Sequence, residues 1–265
     1  SVSYTNLDDM LFQIIASVAT TSAAATTDTS STTTNAATTR MVTTGTTTLK
    51  TCPTSYPTNY SSATSPSPAL TGAYGTNIVV NGDGETGRCL SSGNTVFLQP
   101  TGWTVSGLAT QISYLNTAGD QSLSSIGPSL SERGCCYFIG GQSPPSVTTM
   151  MQTINVTAYA VDIDSNLVYY NLSAWMGGWG GQDDNARVSF QFLSQTLSVI
   201  GNSTEIGPVL DADRGGTAKL MYRSAAGMVL VNTRYINVVV TMTRVYVTGA
   251  LNDGDIDNVE IVFSK

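Results

Sequence analysis

The sequence predicts an all-β protein, a jelly-roll type antiparallel β-sandwich preceded by a long Ser/Thr-rich arm. Three observations carry this prediction: period-2 alternation in 188–192 and 238–243, recurrent breaks rich in Gly, Asn and Asp, and an abrupt change of composition near residue 75. The chain is accordingly divided into an N-terminal arm, 1–74, and a sandwich, 75–265.

The arm opens on an amphipathic segment, 5–18. Leu7, Met10, Leu11, Ile14, Ile15 and Val18 fall at helical spacing behind Thr5 or Asn6 as N-cap, with Asp8 and Asp9 in the first turn. Such a face docks either on its own domain or on another subunit. Residues 19–74 are dominated by Thr, Ser and Ala and end in a Pro/Ser run through Pro53, Pro57, Pro66 and Pro68. Too little apolar surface is present for this stretch to fold alone, so a flexible stalk is one reading. The other is that small, neutral side chains pack against a neighbouring chain without burying unpaired charge.

In the sandwich the expected strands are 77–81, 101–106, 111–115, 136–139, 147–157, 168–175, 186–193, 219–223, 235–245 and 258–263. Ten short strands with no convincing helix fit two packed antiparallel sheets.

Composition narrows the function classes. The 265 residues carry 11 Lys+Arg against 18 Asp+Glu, and charged residues are 11% of the chain, against about 25% in ordinary domains. Histidine is absent, which removes Ser-His-Asp and Cys-His triads and His-liganded zinc; no enzyme is expected. Asp183 and Asp184 could be a glycosidase pair only if they shared a face, and adjacent strand residues do not. A net charge of −7 leaves no basic surface for nucleic acid or anionic membranes. No apolar run of membrane-spanning length occurs. A start at Ser1 instead of Met is read as a removed leader, and the expected location is extracellular, secreted or at the cell surface.

Cys52, Cys89, Cys135 and Cys136 lack zinc-site spacing, so disulfides are expected. Vicinal strand residues face opposite ways, so Cys135 and Cys136 are expected to take separate partners; which of Cys52 and Cys89 each takes is open. Asn59, Asn155, Asn171 and Asn202 begin N-x-Ser/Thr sequons, giving glycans if the producer glycosylates.

Two runs at the ends of the sandwich carry a family resemblance: Val79-Val80-Asn81-Gly82-Asp83-Gly84-Glu85-Thr86-Gly87, followed by Gly102-Trp103, and the closing Asn252-Asp253-Gly254-Asp255-Ile256-Asp257-Asn258-Val259. They look like the ends of galactose-binding-like β-sandwich domains, a superfamily that includes many carbohydrate-binding modules. Trp175-Met176-Gly177-Gly178-Trp179, Gln182-Asp183-Asp184-Asn185-Ala186 and Ala212-Asp213-Arg214-Gly215 resemble secreted bacterial members with an "NGDAETG" opening. The resemblance covers about 75–265 and omits the arm. It implies a structural calcium ion shared by the first and last strands, with Asp83 or Glu85 and Asp257 as side-chain ligands.

Trp179, flanked by Gly177, Gly178, Gly180 and Gly181, is the candidate platform for stacking a sugar, with Asp183, Asp184 and Arg214 as polar companions. Trp103 is expected in the core. The remaining Arg and Asp residues of this half are expected to form salt bridges between loops. Two functions are weighed on these grounds. The leading one is a structural subunit of an extracellular homopolymeric filament or surface assembly, its arm docking on neighbours; the alternative is a carbohydrate-binding or adhesive module on a Thr-rich stalk.

Overall fold

In a computed structural model, Cys52 and residues 72–142, 146–245 and 251–265 are described. Ten strands, β1 Thr104–Ser106, β2 Thr110–Ser113, β3 Cys136–Gln142, β4 Val147–Asn155, β5 Tyr169–Gly178, β6 Asn185–Leu193, β7 Val199–Asn202, β8 Lys219–Met228, β9 Tyr235–Thr243 and β10 Leu251–Ser264, form two sheets. Their orders are β1-β4-β9-β6-β7 and β2-β3-β10-β5-β8, and all strand pairs are antiparallel. The predicted sandwich is what forms.

The first sheet shows why alternation was readable. Along β9 the buried residues Ile236, Val238, Val240 and Met242 alternate with half-buried ones. In register with them stand Ile154 and Met150 of β4 and Phe192, Phe190 and Val188 of β6. Against this face the second sheet lays Leu172, Ala174, Met176, Ile256, Ile261 and Phe263, and one continuous core results. Its aromatic members meet edge to face, as Tyr170 does with Phe190 at 4.9 Å between ring centres.

Around β2, β3 and β10 the second sheet is buried on both faces, whereas β8 and the start of β5 keep exposed residues such as Tyr222 and Tyr169. The sheet's outer side carries a second apolar cluster, Ile112, Tyr114, Tyr137, Ile139 and Leu220, under the connection from β2 to β3. Arg133, itself buried, fastens this connection by donating to the carbonyls of Ser122, Leu123 and Ser125 and packs over the Tyr114 ring at 5.1 Å. A short helix, Leu130–Arg133, leads into the disulfide corner. There Cys135 joins Cys52 and Cys136 joins Cys89, so the vicinal cysteines do take separate partners.

Three sequence expectations are corrected. Residues 77–81 do not form a regular strand but make a single bridge, Asn77 to Val262. The Asn77 side chain supplements a few backbone bonds such as Ile78 N–H to the Ile261 carbonyl, accepting from the Val79 and Ile261 amides and donating to the Val259 carbonyl, and Asn81 turns the chain at φ 50°. The last strand begins at Leu251, not at 258, because Asp253 and Asp255 lie buried within it around a bulge; Asn, Asp and Gly read as a turn when their burial is unknown. The edge strand β7 was not expected, since Val199 and Ile200 alternate with nothing buried. The amphipathic segment 5–18, with Leu7, Met10, Leu11, Ile14, Ile15 and Val18, and the sequon Asn59 lie outside the described residues.

Candidate functional site

One end of the second sheet is built around a buried arginine. Arg214 closes a helical turn, Asp211–Arg214, and is 1% exposed. Its Nη1 donates to the carbonyls of Gly178 at 2.5 Å, Gly180 at 3.0 Å and Thr217 at 3.0 Å, and its Nη2 to that of Gln182. A planar, permanently charged fork suits this task, since several carbonyls must be held at fixed angles. The loop after β5 is thereby fixed, with the Gln182 amide donating back to the Trp179 carbonyl. Gly178 is required by close approach, because a Cβ there would lie 2.6 Å from the Asp253 carbonyl oxygen and 2.7 Å from that of Asp184. At the tip of this rigid loop Trp179 stands 47% exposed.

Asp184 ties three strand ends together. It is fully buried, and its two oxygens accept from the Val245 amide at 2.6 Å and the Asp253 amide at 3.1 Å. Asp183 is exposed and accepts from the Asp211 amide. The two neighbours thus face apart and share no site.

The opposite wall is the loop after β2. Asn116 holds it by donating to the Leu90 and Gly93 carbonyls and accepting from the Ala118 amide, and Asn94 donates to the Ala118 carbonyl. Tyr137 receives the Gln121 amide on its hydroxyl at 3.0 Å. Between the walls lies a cleft of about 250 Å³ lined by Asn94, Thr117, Ala118, Gly119, Asp120, Trp179, Gln182, Leu251 and Asp253. Of the ligand residues expected from sequence, Trp179 lines it, whereas Asp183, Asp184 and Arg214 do not. Asp184 and Arg214 hold its walls from behind.

At the floor of the cleft the lining carboxyls of Asp120 and Asp253 meet that of Asp255 behind them. Asp120 Oδ2, Asp253 Oδ1, Asp255 Oδ1 and the amide oxygen of Gln121 are buried without a hydrogen-bond partner among the described residues, while Gln121 Nε2 donates to the other oxygen of Asp255 at 2.7 Å. Burial, then the charges of Asp255 and Asp253, push Asp120 well above the usual carboxylate range. Burial does the same for Asp255, against the lowering effect of Gln121. Burial and the Asp184 charge push Asp253 up to about 6, opposed by Asp120 and Arg244. Largely buried carboxyls that act on one another in this way share protons instead of all ionising.

The residues expected to hold calcium are occupied otherwise. Glu85 Oε1 accepts from the Cys135 and Cys136 amides at 2.6 and 2.9 Å, and Asp83 accepts from the Glu85 amide. Asp257, fully buried, accepts from the Tyr114 hydroxyl at 2.6 Å and from the Asn258 amide. Burial raises its pKa, and the nearby Glu85 and Asp83 charges add to this. Asp83, Glu85 and Asp257 thus lie near one another, each with a partner in the protein, and among the described residues no group of three or more His, Cys, Asp or Glu has a metal-holding arrangement.

Trp103 is in the core as expected, 2% exposed, with its indole N–H on the Asn81 carbonyl. Trp175 is half-buried against Tyr222. The expected surface ion pairs include Arg187 with Glu205, Arg223 with Asp213 and Arg234 with Asp164. Asn155, Asn171 and Asn202 are exposed on β4, β5 and β7. No helix among the described residues is long and apolar enough to cross a membrane.

No protein-family model and no curated protein matches the chain. Among solved structures it is similar to the enzymatically active domain of tailspike protein 4 of bacteriophage CBA120, at 16% identity and a TM-score of 0.42, over 71% of this chain and 21% of that one. The chain thus spans about a fifth of that protein's length. It is also similar to a family 61 carbohydrate-binding module in complex with β-1,4-galactotriose, at 16% identity and a TM-score of 0.39, over 72% of this chain and 99% of the module. A third is the CBM22-1 xylan-binding domain from Paenibacillus barcinonensis, at 10% identity and a TM-score of 0.37, over 69% of this chain and 92% of that one. At such identities these are likenesses of fold alone.

Proposed function

We propose that the sandwich is a carbohydrate-binding module of an extracellular protein and that its ligand lies in the Trp179 cleft. The observation that carries this reading is an exposed indole on a loop pinned by Arg214, beside a cleft whose lining includes the polar groups of Asn94, Thr117, Asp120 and Gln182. A sugar ring offers an apolar face to stack on the indole and hydroxyls for the surrounding acceptors and donors. Pre-fixed walls keep the ordering cost of binding low. Two disulfides suit an oxidising location.

The test is binding of the full chain to a panel of neutral and acidic oligosaccharides, repeated with Trp179→Ala. The expected loss is tenfold or more in affinity, from roughly 1.5 kcal/mol or more of stacking and buried area, with an unchanged melting temperature because Trp179 packs in no core cluster. Binding that survives the substitution refutes the assignment of the cleft.

The homopolymer reading rests on the composition of the arm, whose 19–74 stretch carries almost no charge. Negative-stain microscopy of the full chain and of a chain lacking 1–72 tests it; assembly by both forms would end the arm-docking proposal.

A further inference from the structure

Resting on the reading of the cleft as a sugar site, we propose that the carboxyl cluster at its floor, with Asp253 as the charged member in the lining, makes it selective for uncharged sugars and against uronic and sialic acids. The cleft has two carboxyls in its lining and no lysine or arginine. A third, Asp255, lies directly behind with an unpartnered oxygen, and Asp184 is bound to the backbone of Asp253 itself.

The cations nearby do not reach the ligand space. Arg214 has its guanidinium committed to four backbone carbonyls. Arg244, the other positive charge felt by Asp253, is absent from the lining. The chain's net charge of −7 adds a field of the same sign at longer range.

A second carboxylate brought to about 5 Å from one of these groups, at an effective dielectric of about 20, loses on the order of a hundredfold in affinity, less where water screens it. A neutral ring meets the opposite situation. Its hydroxyls donate to the carboxyl and amide oxygens of the lining, and hydrogen bonds to charged acceptors are the stronger kind. One arrangement therefore serves both attraction and rejection.

The experiment uses the full chain, with calorimetric titration at pH 7.5 and low salt. The probes are pairs of oligosaccharides that differ only at C6: galacto- against galacturono-, and gluco- against glucurono-oligomers. In any pair that binds, the neutral member is expected to bind at least tenfold more tightly. The gap should narrow severalfold in Asp253→Asn and with added salt. Asp183→Asn is the control: it removes the same charge from an exposed site outside the lining and should leave the gap intact.

An acidic member that binds as tightly as its neutral partner overturns the proposal, as does a gap that neither Asp253→Asn nor added salt changes. Absence of binding to every sugar is a separate result, which overturns the sugar reading and this inference with it. Should Asp253→Asn lower the melting temperature markedly, the salt dependence of the gap in the parent chain carries the test.

Discussion

Replacing Arg214 by Met tests the account of the cleft most directly. The substitution keeps much of the side-chain volume and removes the guanidinium that holds the Gly178, Gly180, Gln182 and Thr217 carbonyls. Gly178 is buried, so its carbonyl loses that donor in a dry site, which costs about 1–3 kcal/mol; the other three lie nearer to water and lose about 0.5–1 kcal/mol each. Some of this is offset, because a buried charge with an unpartnered Nε disappears. The net expectation is a loss of about 3 kcal/mol. For a domain near 200 residues that is about 6–12 °C in melting temperature. Differential scanning calorimetry on the full chain reads this, with sugar binding as the second readout, since the Trp179 loop loses its clamp. A variant melting within about 2 °C of the parent, with binding intact, would show that Arg214 does not organise the site.

Stability should rise as pH falls from 7.5 to 5. Asp120, Asp253 and Asp255 have folded pKa values above those of an unfolded aspartate, Asp253 at about 6, so the native state binds more protons. Their stabilising contribution is complete below the unfolded value of about 3.9 and is lost as pH rises through the folded values. Asp162 and Asp164 are lowered by hydrogen bonds to Lys265 and Arg234 and act in the opposite sense, losing their contribution below about pH 4. A melting temperature that is flat from pH 5 to 7.5, or that rises with pH, contradicts the shared-proton cluster, and Asp120→Asn should flatten the profile. Melts in calcium and in chelator should coincide, because Glu85 and Asp257 already have protein donors; a drop of several degrees with chelator would place an ion at Asp83, Glu85 and Asp257.

Much of the fold was readable because the first sheet buries one face and half-exposes the other, which writes itself as alternation in β4, β6 and β9. The same rule fails in the second sheet. There the outer face is covered by the β2 to β3 connection, and the residues turned toward it include Asp255 and Asp257, acids that sequence places in a turn. Asn77 shows a related failure, since its side chain accepts the Val79 and Ile261 amides where a regular strand would use its backbone.

The site divides in the same way. Trp179 was legible from its flanking glycines, which signal a loop in which an indole has no core to enter. Asp183, Asp184 and Arg214 were drawn toward it by proximity in sequence and by charge, and two of them prove to be buried supports. Asn94, Asp120, Gln182 and Asp253 went unnoticed because their convergence exists only after β10 has paired between β3 and β5 and the β2 to β3 connection has folded over it. By itself the sequence determined the layers, the strand periods and the chemistry ruled out by missing histidine and scarce positive charge. Only tertiary structure decided which acids are buried together and which aromatic ring is left in water, because both depend on contacts between segments far apart in the chain.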